Sequence, residues 1–244
     1  MTRKRTEAAV SKASAQVTVP HGLTDGGTGV GPLRVPVAKE GIPFILIAVA
    51  VTVFVFWLTG SWFARAPLLL ITAFVVAFFR DPERIVPADD NAIVSPADGR
   101  VIKAERVMET RILKAEALKI SIFMNVFNVH VNRFPASGSI RRIIYNPGKF
   151  FSADLDKASL ENEQNALVVE GPGGKIFAFN QIAGLIARRI VCRVSEGMAL
   201  KRGERFGLIR FGSRVDVYLP VDCRVIVKIG QKVSAGSSII GYWR

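Results

Sequence analysis

The pattern of apolar and polar positions divides the chain into three textures. Residues 1–40 have no apolar period and are rich in Gly, Thr, Ser, Lys and Arg, the composition of a disordered basic tail. They do not read as a secretory signal, because the apolar stretch starts too late and lacks a small-residue cleavage site. From Ile42 to Leu58 every residue except Thr52 is apolar, Pro43 included. After Thr59-Gly60-Ser61 a second run covers 62–79, broken near its start by Arg65 and Pro67. A membrane-spanning helix needs about 20 apolar residues, and each run falls just short of that. The pattern predicts a membrane-associated helical hairpin over 41–79, in preference to a pair of buried core helices. Trp57 and Trp62 flank its turn, where interfacial aromatics belong, and Arg65 can snorkel. Arg80 and Arg84 follow at once, so the positive-inside bias assigns the rest of the chain to the cytoplasmic side of the cell (inner) membrane.

Beyond Phe79 short β-rich runs alternate with Gly, Pro, Asn and Asp. They fall at 93–94, 101–102, 118–127, 140–145, 166–170, 176–180, 190–195, 206–211, 215–219 and 224–229. Such spacing with few helical stretches predicts a compact β domain over 80–244, of sandwich or barrel type. Residues 155–160 read as a loop or short helix, 161–165 as an exposed polar loop or lid, and 181–189 as a strand turning helical. Ser95-Pro96-Ala97-Asp98-Gly99 and the 230–236 turn resemble the strand entrances and hairpin turns of barrel-sandwich hybrids. The fold class expected is therefore mainly β, barrel-sandwich-hybrid-like, behind an apolar helical hairpin.

Composition narrows the partners. Of 244 residues, 33 are Lys or Arg and 20 Asp or Glu, a net charge of +13, so an anionic partner is expected. Aromatic and basic residues are not interleaved as in nucleic-acid-binding motifs, which leaves the anionic membrane surface rather than nucleic acid. Cys192 and Cys223 form no CxxC and no Cys/His cluster, which argues against a disulfide framework and against a metal site. His21 and His130 are the only histidines, and His21 lies in the tail.

The sharpest chemical signal is Phe211-Gly212-Ser213-Arg214, which opens the alternating run Val215-Asp216-Val217-Tyr218-Leu219. Gly-Ser also occurs at Gly60-Ser61, Gly138-Ser139 and Gly236-Ser237, so the dipeptide alone specifies no more than a turn. Ahead of a strand it has further chemistry. The serine hydroxyl can attack the preceding carbonyl, the amide becomes an ester, and elimination and hydrolysis leave a pyruvoyl group on the new chain end. Gly212 leaves the attacked carbonyl unhindered and permits a strained backbone there.

Six stretches then stand in order: Phe78-Phe79-Arg80-Asp81-Pro82-Glu83-Arg84, Ser95-Pro96-Ala97-Asp98-Gly99, Asn128-Val129-His130-Val131-Asn132-Arg133, Glu161-Asn162-Glu163-Gln164-Asn165, Gln181-Ile182-Ala183-Gly184, and Phe211-Gly212-Ser213. Together they resemble the short bacterial phosphatidylserine decarboxylase proenzymes over nearly all of the chain after the hairpin. The resemblance implies self-cleavage between Gly212 and Ser213 into a large chain (1–212) and a small chain (213–244) that remain associated. It implies a covalent pyruvoyl cofactor from Ser213, with no metal and no pyridoxal phosphate, that forms a Schiff base with phosphatidylserine and releases carbon dioxide and phosphatidylethanolamine. It also admits a homo-oligomer. Asp98 and His130 match the acidic and histidine sites of that family, and triad logic would pair them with Ser213. Longer members carry His-x-x-His where this chain has His130 and Arg133. That leaves open whether His130 serves both processing and decarboxylation, or whether Asp98 acts directly while Arg133 binds the substrate phosphate or carboxylate. A non-catalytic, membrane-tethered lipoyl-like module is the alternative, though Ala235-Gly236-Ser237 lacks the lysine such a carrier needs.

Overall fold

The computed structural model describes residues 36–148, 162–184, 189–210 and 212–244. The expected disorder of the tail up to residue 35 lies outside those residues, as do His21, the 155–160 segment, Glu161, the helical turn after Gln181 and Phe211.

Two apolar helices, α1 (Ile42–Leu58) and α2 (Trp62–Phe78), form the expected hairpin. With the short turn before it, α1 continues a 20-residue helix, Lys39–Leu58, which is long and apolar enough to cross a membrane. Among the described residues only 11% of its most apolar window is buried, unlike a helix packed in a core. The polar residues that interrupt the pattern stitch the hairpin together. The hydroxyls of Thr52 and Thr72 meet at 2.8 Å, and Thr52 donates to the Ala48 carbonyl at 2.8 Å. Arg65 folds back to donate to Phe56 O at 2.8 Å, satisfying one of the carbonyls left open at the end of α1.

The two ends of the hairpin emerge side by side. Val37 bridges Arg80, Ala38 N–H donates to Phe79 O at 2.8 Å, and Asp81 N–H donates to Pro36 O at 2.7 Å. Residues 36–40, assigned to the tail from composition, are thus packed on the folded part, with Glu40 paired to Arg193.

The remainder is mainly β, as expected. In chain order the strands are β1 (Ala92–Val94), β2 (Gly99–Glu109), β3 (Ala115–Met124), β4 (Val131–Arg133), β5 (Gly138–Asn146), β6 (Gln164–Glu170) and β7 (Ile176–Ala183). They continue with β8 (Ile190–Cys192), β9 (Ala199–Leu200), β10 (Arg205–Ile209), β11 (Ser213–Leu219), β12 (Arg224–Val225), β13 (Lys232–Val233) and β14 (Ile239–Tyr242). An eight-stranded antiparallel sheet runs β13-β2-β3-β11-β7-β6-β5-β9, and two three-stranded sheets, β1-β14-β12 and β4-β10-β8, complete the domain.

Alternation sorts the large sheet's side chains. Val215, Val217 and Leu219 of β11, Phe177 and Phe179 of β7, and Ile120 and Ile122 of β3 enter one core. Within it Phe179 packs against Phe134 and Phe206, with ring centroids 5.3 and 4.8 Å away. Strand β2 is far longer than its two-residue apolar signal, because its middle residues lie at a partly exposed surface and carry Lys103, Glu105 and Arg106.

The 161–165 expectation is corrected. Asn162, Glu163, Gln164 and Asn165 are buried, and Gln164 opens β6 inside the large sheet. Their amides are satisfied across the ladder: Asn165 donates to Gln181 Oε1 at 3.0 Å, and Asn180 donates to Gln164 Oε1 at 2.8 Å. Hydrogen-bonded in pairs, these polar side chains can be buried as apolar ones are.

Candidate active site

Ser213 begins β11, held between β3, where it faces Met124, and β7, where it faces Ala183. It shares the inward face with Val215 and is fully buried. Its hydroxyl donates to the Met124 thioether at 3.4 Å, a weak acceptor, and among the described residues no donor engages the oxygen lone pairs. Gly212 before it has φ +60°, and a Cβ there would meet nothing within 4 Å. Space does not select glycine here; the left-handed backbone does.

Behind Met124 runs a buried amide chain that sequence reasoning missed. Asn165 donates to Gln181, Gln181 Nε2 donates to Asn132 Oδ1 at 2.9 Å, and Asn132 Nδ2 approaches Met124 Sδ at 3.7 Å. Each member lies inside one of the motif stretches, but only strand pairing reveals that they satisfy one another.

His130 precedes β4 and is 2% exposed. Its carbonyl accepts from Ile209 N–H at 3.3 Å, four residues ahead of Ser213. Nδ1 lies 2.9 Å from Asn128 O. A carbonyl can only accept, so the neutral ring carries its proton on Nδ1 and Nε2 keeps its lone pair. Among the described residues Nε2 has no hydrogen-bond partner. Burial, with Arg80 adding to it against the opposing bond to Asn128, lowers the imidazole pKa from 6.5 to about 4. The ring is therefore a neutral base at physiological pH.

One prediction concerns acid stability. Between about pH 6.5 and 4 the unfolded chain binds a proton at His130 that the folded chain refuses, so stability falls as pH falls through that window. Going from pH 7 to 5 is expected to remove about 2 kcal/mol. Urea unfolding of an uncut Ser213→Ala protein at both pH values, with and without His130→Asn, checks this. Equal losses in the two proteins would rule His130 out as the source.

Asp98 and Arg133 sit elsewhere in the same region. Asp98 Oδ1 accepts from Ala235 N–H at 2.7 Å and Oδ2 pairs with Arg84 at 2.7 Å. Its turn enters β2 at Ser213's end of the sheet, where Arg100 pairs with Phe123, the neighbour of Met124. Among the described residues, none of these hydrogen bonds reaches Ser213 or His130. Arg133 is buried: Nη1 donates to Gly203 O at 3.0 Å, and Nη2 donates to Pro82 O at 2.9 Å and lies 3.4 Å from Asp81, which also binds Arg205 at 2.7 Å. Both terminal nitrogens make hydrogen bonds inside the protein, and through them this guanidinium ties Asp81 and Pro82 to the turn at Gly203. The carrier alternative fails on similar ground. Ala235 is 1% exposed, and a Cβ at Gly236 would lie 2.8 Å from Arg133 Cδ, so this turn is internal rather than displayed.

On the opposite face of β11, Arg214 and Asp216 form a fully buried bidentate pair at 2.8 and 2.9 Å, with Lys119 Nζ 3.3 Å from the same carboxylate. The pair lies within β11 itself, and Lys119 of β3 ties its carboxylate across the ladder.

Comparison with known proteins meets this geometry. The family model described as phosphatidylserine decarboxylase matches residues 71–241. The phosphatidylserine decarboxylase proenzyme of Cupriavidus taiwanensis is 52% identical over 205 residues, 84% of this chain and 94% of its own. Those of Magnetococcus marinus and Syntrophus aciditrophicus are each 52% identical over 206 residues, 84% of this chain, covering 94% and 96% of their own lengths. The sequence resemblance, the buried serine behind a left-handed glycine and these matches agree, and the chain belongs to the phosphatidylserine decarboxylase family.

Proposed function

We propose that the chain is a membrane-bound proenzyme that cuts itself between Gly212 and Ser213 and then converts phosphatidylserine to phosphatidylethanolamine and carbon dioxide. The observation that carries this reading is Ser213 itself: a buried hydroxyl whose one partner among the described residues is a thioether, at the head of a central strand, behind a glycine at φ +60°. In the processing step the Ser213 hydroxyl loses its proton to a base, for which His130 Nε2 is the candidate, and attacks the Gly212 carbonyl carbon. The C–N bond breaks and an ester to the Ser213 oxygen forms. Loss of the Ser213 α-proton then expels the Gly212 carboxylate. Water replaces the nitrogen, which leaves as ammonia, and a pyruvoyl group remains. Overall one water is consumed and one ammonia released.

Once formed, that group supplies a carbonyl that condenses with the substrate amine and acts as the electron sink for decarboxylation. The chain's own residues do the rest. The lone pair of His130 Nε2 can first take a proton from the substrate ammonium and then hand it to the carbon that loses carbon dioxide. The ladders to β3 and β7, with Lys119 paired to Asp216 across one of them, hold the new chain end in register, and the Asp98 turn braces the adjoining edge. The apolar hairpin anchors the domain beside a bilayer, and the net positive charge favours an anionic, cytoplasmic lipid surface. Intact-mass spectrometry under denaturing conditions tests the reading. Two chains are expected, residues 1–212 and a Ser213–Arg244 fragment lighter by one ammonia than its serine-started form. A single uncut chain in a preparation that decarboxylates phosphatidylserine would overturn it.

A further inference from the structure

The last residue of α2 is not used as the rest of the hairpin is. Phe63 is 94% exposed and Leu46 63%, side chains with nothing but surroundings to meet, whereas Phe78 is 2% exposed. Its ring lies against His130, centroids 4.2 Å apart and planes 33° from parallel. Further contacts hold that arrangement. Phe79 packs edge-on to Phe78 at 5.0 Å, and Phe44 of α1 stacks on Phe79 at 5.5 Å. One turn back in α2, Phe74 meets Phe127, from the turn that delivers His130, at 6.3 Å. Arg80 ties the two parts covalently distant in sequence, donating to Ala77 O at the end of α2 and to Phe127 O in that turn, both at 2.6 Å.

A tether needs length and hydropathy only; it has no need of a buried ring on a candidate base. Among the described residues the His130 ring has one hydrogen bond, from Nδ1, so its plane is defined by that bond and by the flat face of Phe78. We propose that Phe78 is a positioning residue for His130, so that the apolar hairpin is part of the catalytic apparatus and not only its anchor. This rests on the reading of His130 as the proton-transfer group. Exclusion of water by the same ring also agrees with the neutral imidazole described above.

The test uses the full-length protein in detergent and two substrates: phosphatidylserine in vesicles, and a short-chain phosphatidylserine soluble as monomers. The variants are Phe78→Leu, which keeps apolar bulk but loses the flat face, Phe78→Tyr, which restores it, and Phe63→Leu as an outward-facing control. Phe78→Leu is expected to lower kcat by about 10- to 100-fold on the soluble substrate, a part of the about 10²–10⁴-fold that a positioned acid–base group contributes, with KM changed less than about twofold. Phe78→Tyr should recover most of that loss, and Phe63→Leu should match the parent. A Phe78→Leu enzyme with parental kcat on the soluble substrate, weakened only on vesicles, makes Phe78 a tether and overturns the proposal. If Phe78→Leu fails to accumulate, Phe78→Met carries the same comparison, and a Phe78→Tyr that is no better than the aliphatic variants also overturns it. His130→Ala separates the two layers. Full activity there removes the His130 reading itself, whereas an inactive His130→Ala beside a normal Phe78→Leu sinks the positioning role alone.

Discussion

Ser213→Ala is expected to accumulate as one uncut chain of 26.6 kDa, folded, membrane-associated and without decarboxylase activity. The substitution removes the nucleophile and with it the only source of the carbonyl cofactor, so no residual route exists. It should be structurally mild. Among the described residues the lost hydroxyl donated only to Met124 Sδ, and deleting it leaves a weak acceptor unpaired, at a cost of under about 1 kcal/mol. Denaturing electrophoresis and mass spectrometry read the uncut chain, and a thermal melt reads the fold. Cleavage between residues 212 and 213 in this variant would mean that another group opens the bond.

The second large effect is expected at His130. His130→Ala should lower decarboxylation by about 10²–10⁴-fold, the usual contribution of a positioned proton-transfer group. No other histidine lies among the described residues to replace it. If His130 is also the processing base, uncut chain accumulates in a pulse-labelling experiment and added imidazole, which fits the vacated space between Phe78 and Asn128, speeds cutting. Normal cutting with lost decarboxylation would confine His130 to the second reaction and assign the first to a different base. Undiminished decarboxylation would remove His130 from the mechanism altogether.

Much of this was legible in the residues. The hairpin, its turn, the β texture and the Gly212-Ser213 bond all announce themselves by local pattern, because each depends on neighbours in sequence. Asn162 to Asn165 did not. A run of Asn, Glu and Gln reads as a solvated loop until β7 supplies Asn180 and Gln181 as hydrogen-bond partners, and pairing of that kind is invisible one strand at a time. The same holds for Arg133, whose partners Asp81, Pro82 and Gly203 lie some 50 to 70 positions away in the chain. It holds above all for Phe78, which pattern assigns to lipid and the fold assigns to His130. Asp98 illustrates the converse. A turn at Asp98-Gly99 was readable, but that its carboxylate braces Ala235 and Arg84 required the C-terminal segment to come back alongside.

The central position of β11 has a consequence for reversibility. Its residues pair with β3 on one side and β7 on the other, so a cut at its first residue severs the covalent chain without opening either ladder. While folded, the two products of the proposed cut would behave as one body. Once melted, they separate, and reassembly becomes a bimolecular encounter whose yield depends on dilution, whereas the uncut precursor always carries its missing strand at a fixed effective concentration. With the proposed cut, maturation would be a ratchet: the fold acquired as one molecule and afterwards retained by two, with no equally easy way back.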